Sequence, residues 1–360
     1  MRVEEFIPTH QLKVIENGTV CCTAPSNIAL VKYWGKKLHQ IPANPSISFT
    51  LNNCKTTTIL KYKLKPSKGL SFEVFLEGKP KEDFKPKIQQ FFERILIYAP
   101  YLETHHFLIE TSNTFPHSSG IASSASGISA LAMCLMQLER LVYPDLEAAY
   151  LKRKASFLAR LGSGSACRSI EGGLVVWGQH KAISGSSDLQ GLKFPSEVHA
   201  VFHDYQDAIL LVDKGEKQVS SSVGHNLMHQ HPFAKQRFEQ AFTHLDQLIP
   251  ILKNGDLSGF IKIVELEALT LHAMMMCSDP YFILMKPNTL EIINALRTFR
   301  KASKIPVCFT LDAGANVHVL YPKKYALEVN EFISNKLANY CQNKQYILDS
   351  VGKGAEYIEF

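Results

Sequence analysis

The order in which strand-like and helix-like stretches follow one another is the feature that most constrains this chain. Alternating or β-branched runs at 14–23, 46–51, 56–64 and 70–76 come first, each patterned for a sheet face rather than a helix. The sequence Glu77-Gly78-Lys79-Pro80 marks a turn after the last of them. Helical periodicity then takes over at 85–98, 124–141 and 146–161, with Gly162 as a C-terminal stop. A short buried strand at 172–178 and a polar excursion at 184–191 follow. Beyond residue 200 the pattern predicts a strand at 208–212, helices at 232–252, 257–276 and 290–301, and a strand-turn-strand over 307–311 and 316–320. Strands grouped apart from helices, without strict βα alternation, predict an α+β fold and not a doubly wound sheet. The one boundary is soft and lies near residue 200, giving segments 1–200 and 201–360.

Composition narrows the function classes. With 46% hydrophobic and 20% charged residues, the chain has enough apolar surface to fold. Its net charge of +6 comes from lysines scattered along the sequence. The clusters at 61–68 and 79–87 read as solvated loop faces, so no nucleic-acid partner is expected. No continuous apolar run approaches the ~20 residues of a membrane span, so no membrane partner is expected either. The start, MRVEEFIPTH, holds two acids and no apolar segment, unlike a secretory signal. Eight cysteines follow no framework spacing, with Cys21 and Cys22 adjacent and no CxxC. These features predict a cytoplasmic protein with reduced thiols. Neither HExxH nor paired CxxC occurs, which leaves the 14 histidines to packing and surface roles.

Four segments carry chemistry. Residues 111–126 form a Gly/Ser loop that runs straight into an apolar helix, and such a helix start offers free N–H groups and a positive dipole end to phosphate. Asn113, Pro116, Ser118, Ser119, Gly120, Ala122, Ser123 and Ser124 are its candidate nucleotide contacts, with Ser124 the candidate metal ligand. It lacks the GK[ST] of a Walker loop, and a serine-capped helix after a polar loop gives the same letters. Residues 162–169 place Arg168 among Ser163 and Ser165, a planar fork suited to carboxylate or phosphate; a tight connector with a surface arginine is the alternative. Residues 20–36 read as a strand that breaks at Pro25, followed by Asn27, Lys32 and Lys36 in apolar surroundings. A lysine between Val31, Tyr33 and Trp34 needs an anion unless it snorkels to water. Finally, Asp312 sits at the tip of an apolar strand before Ala313-Gly314, where it either faces a reacting hydroxyl or simply closes a hairpin.

Taken together, the stretches TAPSNIALVKYWGK, NPSISFTL, SNTFPHSSGIASSASG, ARLGSGSACRSIEGG, VSSSVG, LTLHA and FTLDAGANVHVLY resemble those of the mevalonate-diphosphate decarboxylases of the GHMP kinase superfamily, in the same order. VGKGAEY near the C-terminus resembles that family's closing segment. The resemblance implies a GHMP-kinase-like α+β fold, with an N-terminal nucleotide-binding half and a C-terminal ferredoxin-like half around a deep cleft. It implies ATP with Mg²⁺ as phosphoryl donor, mevalonate diphosphate as substrate and a homodimer. On the matching positions it implies Asp312 as the catalytic aspartate, either base or counter-charge, Arg168 as the arginine on the substrate carboxylate, and Lys32 with Asn27 beside that aspartate. Tyr33, Lys36, Ser163, Ser165 and Ser221 fall where the family surrounds the substrate diphosphate.

The sequence departs from the family in four places. The turn reads DAGAN where a proline usually precedes the asparagine, and the closing segment reads GKGA. His225 stands where many members have methionine, and Ser222 where some have arginine, both on the diphosphate side. The competing enzyme readings are a superfamily kinase that stops after phosphorylation and a decarboxylase of the monophosphate. Arg168 together with Asp312 favours the complete reaction. A scaffold role would require the loop or the acid to have decayed, and both retain reactive residue types.

Overall fold

The computed structural model describes residues 3–9, 15–116, 121–215 and 221–359. The first sheet contains β1 (Asn17–Val31), β2 (Ser46–Leu64), β3 (Phe72–Leu76), β4 (Lys79–Pro80) and β5 (His105–Asn113), in the order β1-β2-β5-β3-β4. Among the described residues only the β3–β5 pairing is parallel. Two strands run further than the sequence reading predicts, each for its own reason. β2 is a single 19-residue strand where two short ones are predicted. Its exposed Asn52-Asn53 interrupts the alternation, but the Asp349 carboxylate accepts the N–H groups of Asn52, Asn53 and Cys54, each at 2.8 Å, and carries the strand through. β1 likewise continues past Pro25 instead of breaking there. The register against β2 shifts between Pro25 and Asn27, so the missing proline N–H falls in an irregularity of the ladder.

Helices α1 (Lys85–Ile95), α2 (Ser123–Val142) and α3 (Ala148–Gly162) bury their apolar faces with this sheet in one core that includes Leu60, Phe107, Phe91, Leu131 and Phe157. Among the described helices, α2 alone has the length and hydropathy of a membrane span. The expectation from continuous runs missed it because serines and a glycine interrupt the apolar letters without lowering the average enough. Since 78% of that window is buried inside the protein, α2 is the central core helix. Strands β6 (Leu174–Trp177) and β7 (Gly191–Lys193) then extend the sheet from the first half of β2.

The chain continues through β8 (Gln206–Leu210), α4 (Ser221–Leu227), α5 (Ala234–Asn254), α6 (Leu257–Met276), α7 (Pro287–Ser303), β9 (Cys308–Thr310), β10 (Val317–Tyr321), α8 (Ala326–Asn335) and β11 (Tyr346–Ser350). These strands form a second, antiparallel sheet in the order β11-β8-β10-β9. The last strand, β12 (Glu356–Ile358), returns to the first sheet and pairs with β1. A second core joins the two parts: Ile28, Leu30 and Phe49 of the first sheet pack with Leu245 of α5 and with Phe260 and Val264 of α6. That shared core fixes β1 against α6, and with it the residues that follow β1.

Candidate active site

The start of α2 and the segment after β1 open onto one cavity of ≈ 860 Å³. Its apolar wall includes Val74, Leu76, Ile88 and Ile109, a surface suited to a flat aromatic base. The helix start faces the same space. Ala122 adopts a left-handed conformation (φ 46°), and α2 begins with no side-chain cap; the Ala125 N–H donates to the Ala122 carbonyl at 2.7 Å, while the Ser123 and Ser124 N–H groups have no acceptor among the described residues and can meet an external one. Lys87 donates to the Ser124 hydroxyl, which is 3.4 Å from that of Ser163. Asn113, at the end of β5, accepts from Thr56 at 2.7 Å. This arrangement fits a polyphosphate: the N–H groups of Ser123 and Ser124 at the helix start, a cation at Lys87 and small residues that let backbone approach. No cluster of three acidic, histidine or cysteine ligands occurs among the described residues. A divalent ion here would rest on the Ser124 hydroxyl and on phosphate oxygens, the usual arrangement for Mg²⁺.

At the other end of the cavity stand Lys32, Arg168 and Asp312. Lys32 is buried, with its ammonium 3.1 Å from Asp312 Oδ1. Burial pushes its pKa down and Asp312 pulls it back up, leaving it below the usual lysine value. The Lys32 peptide is gripped on both sides. Its N–H donates to Glu267 at 2.7 Å, and its carbonyl accepts from Asn44 at 2.9 Å and Arg237 at 3.2 Å. Arg237 and Glu267 are themselves a buried two-bonded ion pair, at 2.8 and 2.5 Å, and His244 completes the carboxylate's bonding. Although burial opposes it, this set of donors holds the Glu267 pKa below the usual carboxylate value. Asp312 is fixed from its main chain, where His272 Nε2 donates to its carbonyl at 3.1 Å. Burial pushes His272 down to about 4, so it is a neutral donor at pH 7.

Arg168 lies on the 3₁₀ turn that follows α3, buried beneath the Trp177 ring at 5.8 Å. It donates to Ser46 Oγ at 2.7 Å and to Asn27 Oδ1 at 3.3 Å, and Asn27 in turn donates to Ser169 at 2.9 Å. Burial lowers its pKa, an unfavourable state that an anionic ligand would relieve. Gly164 keeps this turn tight, since a Cβ there would meet Trp177 at 2.7 Å and the Tyr33 hydroxyl at 2.9 Å.

The residues singled out from sequence largely converge. Lys32, Tyr33, Lys36, Asn113, Ala122, Ser123, Ser124, Ser163, Ser165, Arg168 and Asp312 all line this cavity. Asn27 does not; it buttresses Arg168 from behind. Pro116 is exposed and outside the lining. Ser118, Ser119 and Gly120 lie outside the described residues, and Ser221 opens α4 with its side chain outside them too.

Known proteins resemble this chain in sequence and fold. Residues 24–188 match the family model for a diphosphomevalonate decarboxylase-like N-terminal domain, and residues 208–356 that for a mevalonate 5-diphosphate decarboxylase C-terminal domain. The chain belongs to the diphosphomevalonate decarboxylase family. The Aspergillus fumigatus diphosphomevalonate decarboxylase is 29% identical over 84% of this chain and 76% of its own length, and the human one 28% over 83% and 76%. The mevalonate diphosphate decarboxylase structure from Staphylococcus aureus superposes with a TM-score of 0.81 at 28% identity, covering 95% of this chain and 98% of its own. A structure described as MDDEF in complex with MVAPP, AMPPCP and magnesium gives 0.81 at 29% identity, covering 96% and 100%.

As a member of that decarboxylase family, the chain shows what its departures cost. The turn after Asp312 closes without a proline: Gly314 N–H donates to the Asp312 carbonyl at 2.7 Å, and Asn316 anchors the far side by accepting from Asp213 N–H at 2.9 Å. Sequence reasoning missed Glu267, Arg237, His244, His272 and Ser46. The available signal was an acid and a histidine on apolar stretches of α6, where an unpartnered charge is not tolerated.

Proposed function

We propose that this chain converts mevalonate 5-diphosphate to isopentenyl diphosphate, consuming ATP and releasing ADP, phosphate and CO₂. The observation that carries this reading is the Lys32–Asp312 ion pair set beside Arg168, in one cavity with the uncapped start of α2. The similar structure with MVAPP, AMPPCP and magnesium supports the same substrates and ion. A magnesium ion, held by the Ser124 hydroxyl and phosphate oxygens, would supply charge neutralisation on the triphosphate. The Ser123–Ser124 helix start orients the triphosphate, and Lys87 screens its charge. Asp312 faces the tertiary hydroxyl, whose oxygen takes the γ-phosphoryl group; Lys32 stabilises the charge on that side. Arg168, braced by Asn27 and Ser46, holds the substrate carboxylate with its free guanidinium edge. Departure of the new phosphate then leaves positive charge developing on the tertiary carbon, for which the Asp312 carboxylate is the counter-charge. The C–C bond pair flows in to form the double bond as CO₂ leaves.

The same reading assigns 1–200 to nucleotide binding and 201–360 to closure over substrate; the family models end at 188 and resume at 208 in support. It also includes a homodimer. Leu266, Leu269 and Met276 form an exposed apolar stripe on α6, continued by Tyr281 and Ile283, and such a surface calls for a partner. A cytoplasmic location is supported by eight cysteines that are all unpaired. The test is the ratio of CO₂ to ADP formed from mevalonate diphosphate, ATP and Mg²⁺. A ratio of one supports the full reaction, and ADP without CO₂ would make the chain a kinase.

A further inference from the structure

His225 does something the assignment above does not use. It sits on α4 next to Gly224, which approaches Trp34 so closely that a Cβ there would lie 2.5 Å from the indole. The imidazole is 8% exposed and lies against two aromatic rings, with centroids 4.2 Å from Tyr33 and 4.8 Å from Trp34. Its Nδ1 is 2.9 Å from the Gly35 N–H. A main-chain N–H can only donate, so Nδ1 carries the lone pair, and the single proton of the neutral ring is on Nε2. Burial, together with the nearby cations Lys36 and Arg168, pushes this histidine down to about 3, which keeps the ring neutral.

That leaves an N–H donor of fixed tautomer on the wall of the reaction cavity, and the Nε2 proton has no hydrogen-bond acceptor among the described residues. Nε2 is not among the fully buried atoms that lack a partner, so in the open cavity water meets this donor, and an anionic ligand can take that water's place. The charges that face it, Lys36 and Arg168, are positive, so the missing partner is an anion. The family resemblance implies Tyr33 and Lys36 around the substrate diphosphate, and His225 stands beside both. We propose that His225 is a specificity-determining residue whose Nε2–H donates a hydrogen bond to a phosphate oxygen of the substrate's diphosphate group. The inference rests on the substrate reading given above.

The rigid seat matters as much as the donor. Stacking on Tyr33 and the Gly35 hydrogen bond fix the ring before substrate arrives, so little ordering is lost on binding. His225→Phe keeps a ring but removes the donor, and His225→Gln retains an N–H near the Nε2 position. The expected result is a KM for mevalonate diphosphate raised about tenfold or more in H225F, with kcat changed less than about threefold and the KM for ATP unmoved. H225Q recovers most of the loss. An unchanged KM in H225F, or an equal loss in H225Q, overturns the inference. A second measurement needs no variant enzyme to fold well. ¹⁵N spectra of histidine-labelled wild-type protein are expected to show His225 as the Nε2–H tautomer, with Nε2 shifting when mevalonate diphosphate is added. A signal that the substrate leaves unmoved overturns it too. If wild-type protein neither binds nor turns over mevalonate diphosphate, it is the substrate reading that has failed.

Discussion

The clamp on the Lys32 peptide predicts that Glu267→Gln damages both stability and turnover. Glu267 is fully buried and accepts from Lys32 N–H, from two Arg237 nitrogens and from His244. A neutral amide has one acceptor oxygen for these donors and places an NH₂ group against the rest. Arg237 is left as a buried guanidinium without its counter-charge, a loss of about 3–5 kcal/mol. With an unfolding entropy of ~2.1 cal/mol/K per residue over 360 residues, this converts to a fall in Tm of roughly 4–7 °C. The second effect is local. Glu267 fixes the Lys32 N–H and Arg237 its carbonyl, so loosening the pair moves the ammonium that faces Asp312. Scanning calorimetry and a steady-state ADP assay on the same preparation measure both. The prediction is a lowered Tm together with a lower kcat at saturating ATP. A Tm within about 1 °C of wild type and unchanged kcat would refute the claim that this buried pair positions Lys32.

Three further outcomes follow from the geometry. Arg168→Lys is expected to lower kcat by about tenfold or more, because an ammonium cannot keep the Ser46 and Asn27 bonds while presenting a planar edge to substrate; steady-state kinetics check it. Ser124→Ala is expected to raise the KM for ATP by about tenfold, since it removes the hydroxyl that meets Lys87 at the helix start, and nucleotide titration measures that directly. His225 and His272 have folded pKa values near 3 and 4, below the unfolded histidine value of 6.5. The unfolded chain therefore binds more protons below pH 6.5, so stability is fully present above that pH and declines toward pH 4, by up to ~1.4 kcal/mol per pH unit for each histidine. Urea unfolding at pH 7.5 and 5.5 tests this, and equal midpoints would contradict it.

Much of the site was legible because its residues are chemically out of place where they occur. Lys32 among Val31, Tyr33 and Trp34 called for an anion unless it snorkelled to water, and the structure buries it against Asp312 from 280 positions away. The Gly/Ser letters before α2 read as a helix start offering its N–H groups to phosphate or as a serine-capped helix, and α2 begins without a side-chain cap. The α+β class followed from grouped strands and helices. What escaped was everything decided by partners distant in sequence. Asp349 carries β2 through Asn52 and Asn53, where local alternation predicted two strands. The strand His105–Asn113 lies between β2 and β3 and was not picked out from its letters: burial alternates over 105–110, but the consecutive apolar Phe107, Leu108 and Ile109 hide that alternation in the sequence. Arg237 and Glu267 looked like ordinary helix charges until the fold placed them on the Lys32 backbone. His225 was visible only as an unusual letter, and its tautomer needed the Gly35 N–H to be seen.

The central claim is that Asp312, held by Lys32 and by His272, is the group on which both chemical steps depend. The most direct measurement is paired detection of ADP and CO₂ from wild-type and Asp312→Asn protein given mevalonate diphosphate, ATP and Mg²⁺, with ATP affinity measured alongside. The account predicts equal amounts of both products from wild type and, in the variant, loss of both by at least about a thousandfold with ATP binding nearly intact. ADP and CO₂ formed by the variant at the wild-type rate would contradict it.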